Sequence, residues 1–257
     1  MRRLAVAVTL ATLAWPAGAA AQRWEPDIAG ASAWAEQRAG SVSFAVRTPD
    51  RLYGRALDRR VPAASVLKTM LMVAYLQQAD HPDRALLRPM ITRSDNVAAS
   101  RIRDLVGNAA LIRLARGAGM TRFAVNPIWG LSLITARDQT RFFLGLERLL
   151  PPRHRAYALR LLQSIVPSQR WGMAQVVPEG WVLHFKGGWG SGTGAVDHQI
   201  GLLRRGERRV AIAVLTTGSP SHAYGKETLR GVSRRLLTGL GVIGTAGESE
   251  GALGGRP

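Results

Sequence analysis

Strand signals stand at both ends of the chain with a long helical stretch between them, and this order narrows the folds open to it. Ser41 to Arg47 alternates apolar and polar residues through Val42, Phe44 and Val46, the period of two that predicts a strand. Thr48-Pro49-Asp50 reads as a turn, and Arg51 to Leu57 pairs back as a hairpin. From Ala64 to about Val166 nearly everything reads as helix, in the segments Ala64 to Gln78, Arg84 to Thr92, Asn96 to Val106, Ala109 to Ala118, Thr135 to Leu150 and Arg153 to Ile165. Asn108 and Thr135 read as caps. Strands return at Trp181 to Lys186, Val196 to Leu203 and Arg209 to Thr216, the last two joined by a turn over Arg204 to Arg208. Helices over Ile28 to Arg38 and Tyr224 to Leu240 flank the whole. The two strand groups bury their apolar faces most simply in one sheet. The expectation is an α/β chain of the α+β type, with an antiparallel sheet built from both chain ends and covered by the terminal helices. Residues 22–60 and 167–240 form that lobe, residues 61–166 form an all-helical lobe, and a ligand cleft lies between them.

Compartment is read from the N-terminus. Met1-Arg2-Arg3 is basic, Leu4 to Trp15 is apolar, Pro16-Ala17-Gly18 breaks the run, and Ala19-Ala20-Ala21 supplies small residues before Gln22. This pattern predicts a signal peptide over residues 1–21 and a secreted or periplasmic protein. The apolar run is shorter than a membrane span needs. Gly241 to Pro257 is Gly-rich and reads as a flexible tail. The absence of cysteine excludes disulfides, Cys-based metal sites and a Cys nucleophile. The net charge of +18 is spread along the chain as paired arginines, with no nucleic-acid motif beside them. It reads as a solvated surface, with anionic cell-wall polymers as the alternative partner.

Of the 35 basic residues only Lys68, Lys186 and Lys226 are lysine. Arginine cannot accept a proton in a protein, whereas a buried lysine can. Two of the three lysines fall inside short motifs. Ser65-Val66-Leu67-Lys68 begins a helix, so the amine stands one turn from the hydroxyl. A serine hydroxyl needs a neighbour to take its proton, and burial lowers an amine's pKa toward that task. Ser94-Asp95-Asn96 lies at a helical junction, where Ser94 can relay a proton and Asn96 can orient Lys68 or a substrate amide. Lys186-Gly187-Gly188 ends the first strand of the C-terminal group, where Lys186 can hold a substrate carboxylate. The backbone N–H groups of Ser65 and Trp189 are candidates for an oxyanion hole, with Gly188 beside them.

These motifs, in this order, resemble those of the class A β-lactamases and penicillin-binding proteins, and in particular the secreted class A β-lactamase-related serine hydrolases. The resemblance runs from Ile28 to Leu240. It takes in Thr135-Ala136-Arg137-Asp138, Gln169-Arg170-Trp171-Gly172 and Ala223-Tyr224-Gly225. It implies attack by Ser65 on a β-lactam or a D-Ala-type peptidoglycan peptide, an acyl-enzyme, and its hydrolysis by water, with no metal or other cofactor.

The sequence departs from the family at two points. The family's β-lactamases carry a water-activating glutamate in the loop before the Thr-rich helix start, but Leu105 to Arg137 holds no Asp, Glu or His. The flanking Asp104 and Asp138 read as helical. Losing such a base removes roughly 10²–10⁴-fold of rate, so slow deacylation is expected. Gly187 stands where the family has Thr or Ser; Ser191 or Thr193 would replace that hydroxyl if the strand bends at Gly187-Gly188. His184 reads as structural, and His198 beside Asp197 is a weak candidate base. His81, His154 and His222 have no metal spacing. Trp129, Trp171 and Trp189 are candidate cleft-lining residues. β-Lactamase, DD-peptidase and esterase activities stay open, as does a non-catalytic binder of wall polyanions.

Overall fold

The computed structural model describes residues 24–241. The residues read as a signal peptide lie outside them, as does the tail after Gly241.

One five-stranded antiparallel sheet is assembled from the two chain ends. Strands β1 (Ser41–Arg47) and β2 (Leu52–Arg55) come before the helical stretch. Strands β5 (Val182–Gly190), β6 (Val196–Arg205) and β7 (Arg208–Thr217) come after it, and the order is β2-β1-β7-β6-β5. The seam between the two groups is β1 against β7, with Ser41 opposite Thr217 and Arg47 opposite Ala211. On β7, Val210 to Thr216 are buried without a break, as a strand covered on both faces must be. Helices α1 (Ile28–Glu36) and α8 (His222–Leu236) pack on each other and on the sheet. Gly231 permits that contact, since a Cβ there would lie 2.2 Å from the Trp34 ring.

Two short strands escaped the sequence reading. β3 (Val61–Pro62) pairs with β4 (Leu133–Ile134), which ties the approach to Ser65 to the loop before α5. Two-residue strands carry no readable period. Helices α2 (Leu67–Gln78), α3 (Arg84–Thr92), α4 (Asn96–Gly117) and α7 (Pro152–Gln163) pack together. α4 spans both segments read separately and kinks at Gly107 (φ 72°). The segment read as one helix from Thr135 divides at Gly145 into α5 (Ala136–Leu144) and α6 (Leu146–Leu149), with Thr135 capping α5 by accepting from the Asp138 N–H at 3.1 Å. α5 packs chiefly on β1, β6 and β7. Among the described residues no helix is long and apolar enough to cross a membrane.

Candidate active site

Ser65 sits in a single 3₁₀ turn, Ala64–Val66, that leads directly into α2. The residue before it, Ala64, has φ 45°, a conformation that a residue with a Cβ adopts at a cost. His198 fixes the approach to this turn. Its Nε2–H donates to Pro62 O at 2.9 Å, while its Nδ1 accepts from the Thr216 N–H at 3.1 Å. Complete burial brings its pKa down to about 4, so the ring is a neutral clamp. The weak reading of His198 as a base paired with Asp197 is therefore corrected.

Lys68 projects from the first turn of α2 and is wholly buried. Its Nζ donates to Ser94 O at 2.5 Å and to Asn96 Oδ1 at 2.7 Å, and lies 3.1 Å from Ser94 Oγ. Burial lowers its pKa to about 7, opposed by the charge of Asp95. Ser65 Oγ is not among its hydrogen-bond partners; the amine is held by Ser94 and Asn96. Ser94 itself has φ 61°, and this strained backbone accompanies the approach of both its oxygens to Lys68. Asp95 caps α4 by accepting from the Ala98 N–H at 2.8 Å, which explains the acid at the centre of that motif.

Lys186 reaches Ser94 from the other side. Its Nζ donates to Ser94 Oγ at 3.0 Å and to Gly187 O at 2.8 Å. Full burial, and then the neighbouring Lys68, push its pKa well below the ordinary lysine range. Ser94 Oγ thus lies between two buried amines.

The Lys-Gly-Gly segment does not end its strand. β5 continues to Gly190, with Gly187 opposite Gln199, Gly188 opposite His198 and Trp189 opposite Asp197. The strand does not break its pairing at Gly187-Gly188, and the first positive φ on it is at Gly190 (φ 155°). Thr193 Oγ1 there donates to Gly190 O at 3.1 Å, so it does not stand in for the missing hydroxyl. The two glycines face different neighbours. A Cβ on Gly188 would lie 2.9 Å from Ser65 N and 2.8 Å from Val66 N, whereas one on Gly187 would lie 3.4 Å from Trp171 Cη2. Gly188 therefore lets β5 close on the backbone of the candidate nucleophile. The surrounding motif residues hold this geometry. Gln199 donates to Trp171 O at 2.7 Å and accepts from the Met173 N–H at 2.6 Å, which pins the Trp171-Gly172 turn.

Neither flanking acid serves the cleft. The Asp104 side chain is exposed and pairs with Arg103. Asp138 is buried and accepts from the N–H groups of Thr121 at 3.1 Å and Arg122 at 2.7 Å. It anchors the loop rather than activating water.

One pair was missed in the sequence. His222 Nδ1 lies 2.5 Å from Asp197 Oδ1, a carboxylate that burial pushes above its usual pKa. The imidazole stacks on Trp189 and meets Trp171 edge-on. A separation of 25 residues hid the pair. Asp197, His222 and Trp189 border a cavity of about 240 Å³ with Ser191, Ser219 and Ser221. A cavity of about 410 Å³ at the other end of the sheet, lined by Trp24, Tyr53 and Trp181, contains none of the candidate site residues. Among the described residues no cluster of metal-ligating side chains occurs. His184 is structural as read, with its Nδ1 3.1 Å from Leu159 O.

Comparison with known proteins bears on the fold and the family. No curated protein matches the sequence. The structure resembles a β-lactamase from Sphaerobacter thermophilus DSM 20745 at 21% identity, covering 84% of this chain and 99% of that one, with a TM-score of 0.71. It resembles the class A β-lactamase of the last common ancestor of Gram-negative bacteria at 21% identity, covering 82% and 98%, with a TM-score of 0.71. It also resembles a mutant of PBP-A in an acyl-enzyme complex with penicillin G, at 21% identity, covering 81% and 93%, with a TM-score of 0.69. At these identities the likeness is one of fold. The sequence profile of the beta-lactamase enzyme family matches residues 81–240, and the chain belongs to that family.

Proposed function

We propose that this protein is an exported serine acyl-transfer enzyme whose Ser65 is acylated by β-lactams or D-Ala-type peptidoglycan peptides. The observation that carries the reading is Lys68: a wholly buried amine, one helical turn from Ser65, with its pKa lowered to about 7. Such a group accepts a proton near neutral pH. The Lys68 amine is held toward the cleft by Ser94 and Asn96.

In the proposed reaction Ser65 Oγ bonds to the carbonyl carbon of the scissile amide and its proton passes to Lys68 Nζ. The N–H groups of Ser65 and Trp189 face the developing oxyanion. The C–N bond then breaks, and the leaving nitrogen takes a proton from Ser94 Oγ, which is refilled from Lys68. Asn96 and Lys186 hold the substrate amide and carboxylate. β5 ends the sheet order, so its outer side can take an extended peptide as a further strand. Water completes the cycle by attacking the ester, slowly, because neither Asp104 nor Asp138 is placed to deprotonate it. PBP-A, similar in fold, forms an acyl-enzyme with penicillin G in one of its structures, which supports the first half of this cycle. The N-terminal pattern supports export.

Intact-protein mass after exposure to benzylpenicillin tests the reading. One adduct per chain, absent in Ser65→Ala, is expected. A chain that stays unmodified and binds anionic wall polymers in a salt-sensitive way would instead be a non-catalytic binder.

A further inference from the structure

The loop between α4 and α5 places an indole, not a polar group, over the amine of the candidate site. Trp129 lies in a short 3₁₀ turn, Trp129–Leu131, and Lys68 Nζ stands 5.1 Å from its ring centroid. That is within the range at which an aromatic face attracts a cation. The ring's one polar atom is already committed, since Trp129 Nε1–H donates to Ser100 Oγ at 3.2 Å.

The turn is held in place from several sides. Asp138 accepts from Thr121 and Arg122 at the start of the loop. Ser132 Oγ accepts from the Asn126 N–H at 3.1 Å, and Asn126 Oδ1 accepts from the Ile128 N–H at 2.9 Å. The Ala63 N–H donates to Ser132 O at 2.8 Å, beside the β3–β4 pairing. A Cβ on the next residue, Gly130, would be 3.8 Å from both Ala64 Cα and Thr193 Cγ2. The turn therefore rests between the backbone before Ser65 and the β5–β6 connection. It is laced to the same segment that carries the nucleophile.

A count of polar partners shows what this wall excludes. A held water needs two to four hydrogen-bonding groups around it. Lys68 Nζ already meets Ser94 O, Ser94 Oγ and Asn96 Oδ1, which uses the three donors of an ammonium. The indole face adds none, and its N–H is spent. A water on this side of the ester finds no hydrogen-bonding partner in the indole, and an amine already engaged by Ser94 and Asn96.

We propose that Trp129 is a positioning residue that holds the Lys68 amine and keeps water from the Ser65 acyl ester, so that its ring sets the lifetime of the acyl-enzyme. The inference rests on the acylation proposed above. It differs from the absence of a base, because it assigns the persistence of the ester to a side chain that is present.

The test is a chase. Parent, Trp129→Phe, Trp129→Met and Trp129→Ala are acylated with benzylpenicillin, freed of excess drug, and followed by intact mass. The expected result is one adduct per chain in each. The parent and Trp129→Phe adducts should decay alike, because phenylalanine keeps an aromatic face. In Trp129→Ala decay should quicken by about tenfold, below the ~10²–10⁴-fold that an added general base would give, with Trp129→Met between. A change of lifetime that phenylalanine rescues is not what a loss of stability would produce. Equal lifetimes in all four proteins overturn the inference while leaving the acylation intact, and so does a Trp129→Phe adduct that decays as fast as the alanine variant's. If Trp129→Ala does not fold, Trp129→Met alone decides, and a parent-like lifetime there refutes the proposal. A parent that takes no adduct overturns the acylation reading, and this inference with it.

Discussion

Adjacent glycines on one strand give a sharp test of the site's geometry. A methyl group on Gly188 would come within 2.8 Å of Val66 N and 2.9 Å of Ser65 N, both backbone atoms. Ordinary contact begins near 3.4 Å, the distance at which a methyl on Gly187 would meet the Trp171 ring. To accept Gly188→Ala, β5 and the Ser65 turn must therefore separate by about 0.5 Å, and neither yields easily. β5 is laddered to β6 through Gly190, and the turn is pinned by His198 and by the β3–β4 pair. Overpacking of this kind costs about 1–3 kcal/mol, or roughly 2–10 °C in Tm for a domain of this size. Separation of nucleophile and oxyanion donor by a fraction of an ångström to 1 Å lowers rates by up to ~10²-fold. Gly187→Ala meets only ordinary contacts and removes some backbone freedom, so Tm should hold or rise slightly. Its acylation rate should stay within about threefold, because a methyl that fits without displacing its neighbours leaves the reacting groups in place. The assay is the second-order rate of labelling by a fluorescent penicillin, with thermal melts run alongside. A Gly188→Ala protein that labels at the parent rate refutes the close approach, and a Gly187→Ala protein that fails as badly refutes the assignment of faces.

Other consequences follow from the same geometry. Labelling should rise with pH through about 7 and then level off, because the neutral Lys68 amine is the proton acceptor; a flat profile from pH 5 to 9 would remove Lys68 from that role. Lys68→Arg should abolish labelling, since it keeps a charge and cannot take the proton, and any retained adduct shows that another group serves. Burial lowers the pKa of Lys68, so between about 7 and the ordinary lysine value the unfolded chain holds more protons than the folded one. Stability should therefore rise with pH across that window, and Lys68→Met should flatten the slope seen in denaturant titrations. Asp138→Ala leaves the Thr121 and Arg122 amides without their partner and should cost about 2–4 kcal/mol; a melt within 1–2 °C of the parent would contradict that anchoring role.

Most of the architecture was legible because its signals are local. The alternation in Ser41 to Arg47 gives β1 residue for residue, and the run from Arg84 to Thr92 gives α3. The site was legible where its spacing is short, as in Ser65 and Lys68 one helical turn apart. Sequence reading went astray where tertiary contact overrides local preference. Gly187 and Gly188 read as a strand end, yet pairing with β6 carries β5 through them, and what they provide is room for a neighbouring backbone. Asp197 and His222 sit on different elements, and only the packing of α8 on the sheet brings them together. Gly225 makes that packing possible, for a Cβ there would lie 1.9 Å from Asp197 Oδ2. Trp129 read as one of several cleft tryptophans, because nothing local to it marks the partner 61 positions earlier.

The choice of lysine over arginine at two positions now has a physical reason. Ser94 Oγ lies 3.1 Å from Lys68 Nζ and 3.0 Å from Lys186 Nζ, and both amines are fully buried. A hydroxyl has one proton to give, so it can donate to only one of them at a time. Two permanent cations beside that oxygen would each bear a desolvation cost with no carboxylate in contact to offset it. Asp95, the one acid that raises the Lys68 pKa, has its carboxylate turned to the Ala98 amide. The low pKa of each lysine follows from its burial, and a proton placed on Lys68 repels one on Lys186. Arginine in place of Lys68 would fix a charge in the proposed relay and stop it. The chain's near-exclusive use of arginine elsewhere makes these two exceptions the residues on which the proposed chemistry turns.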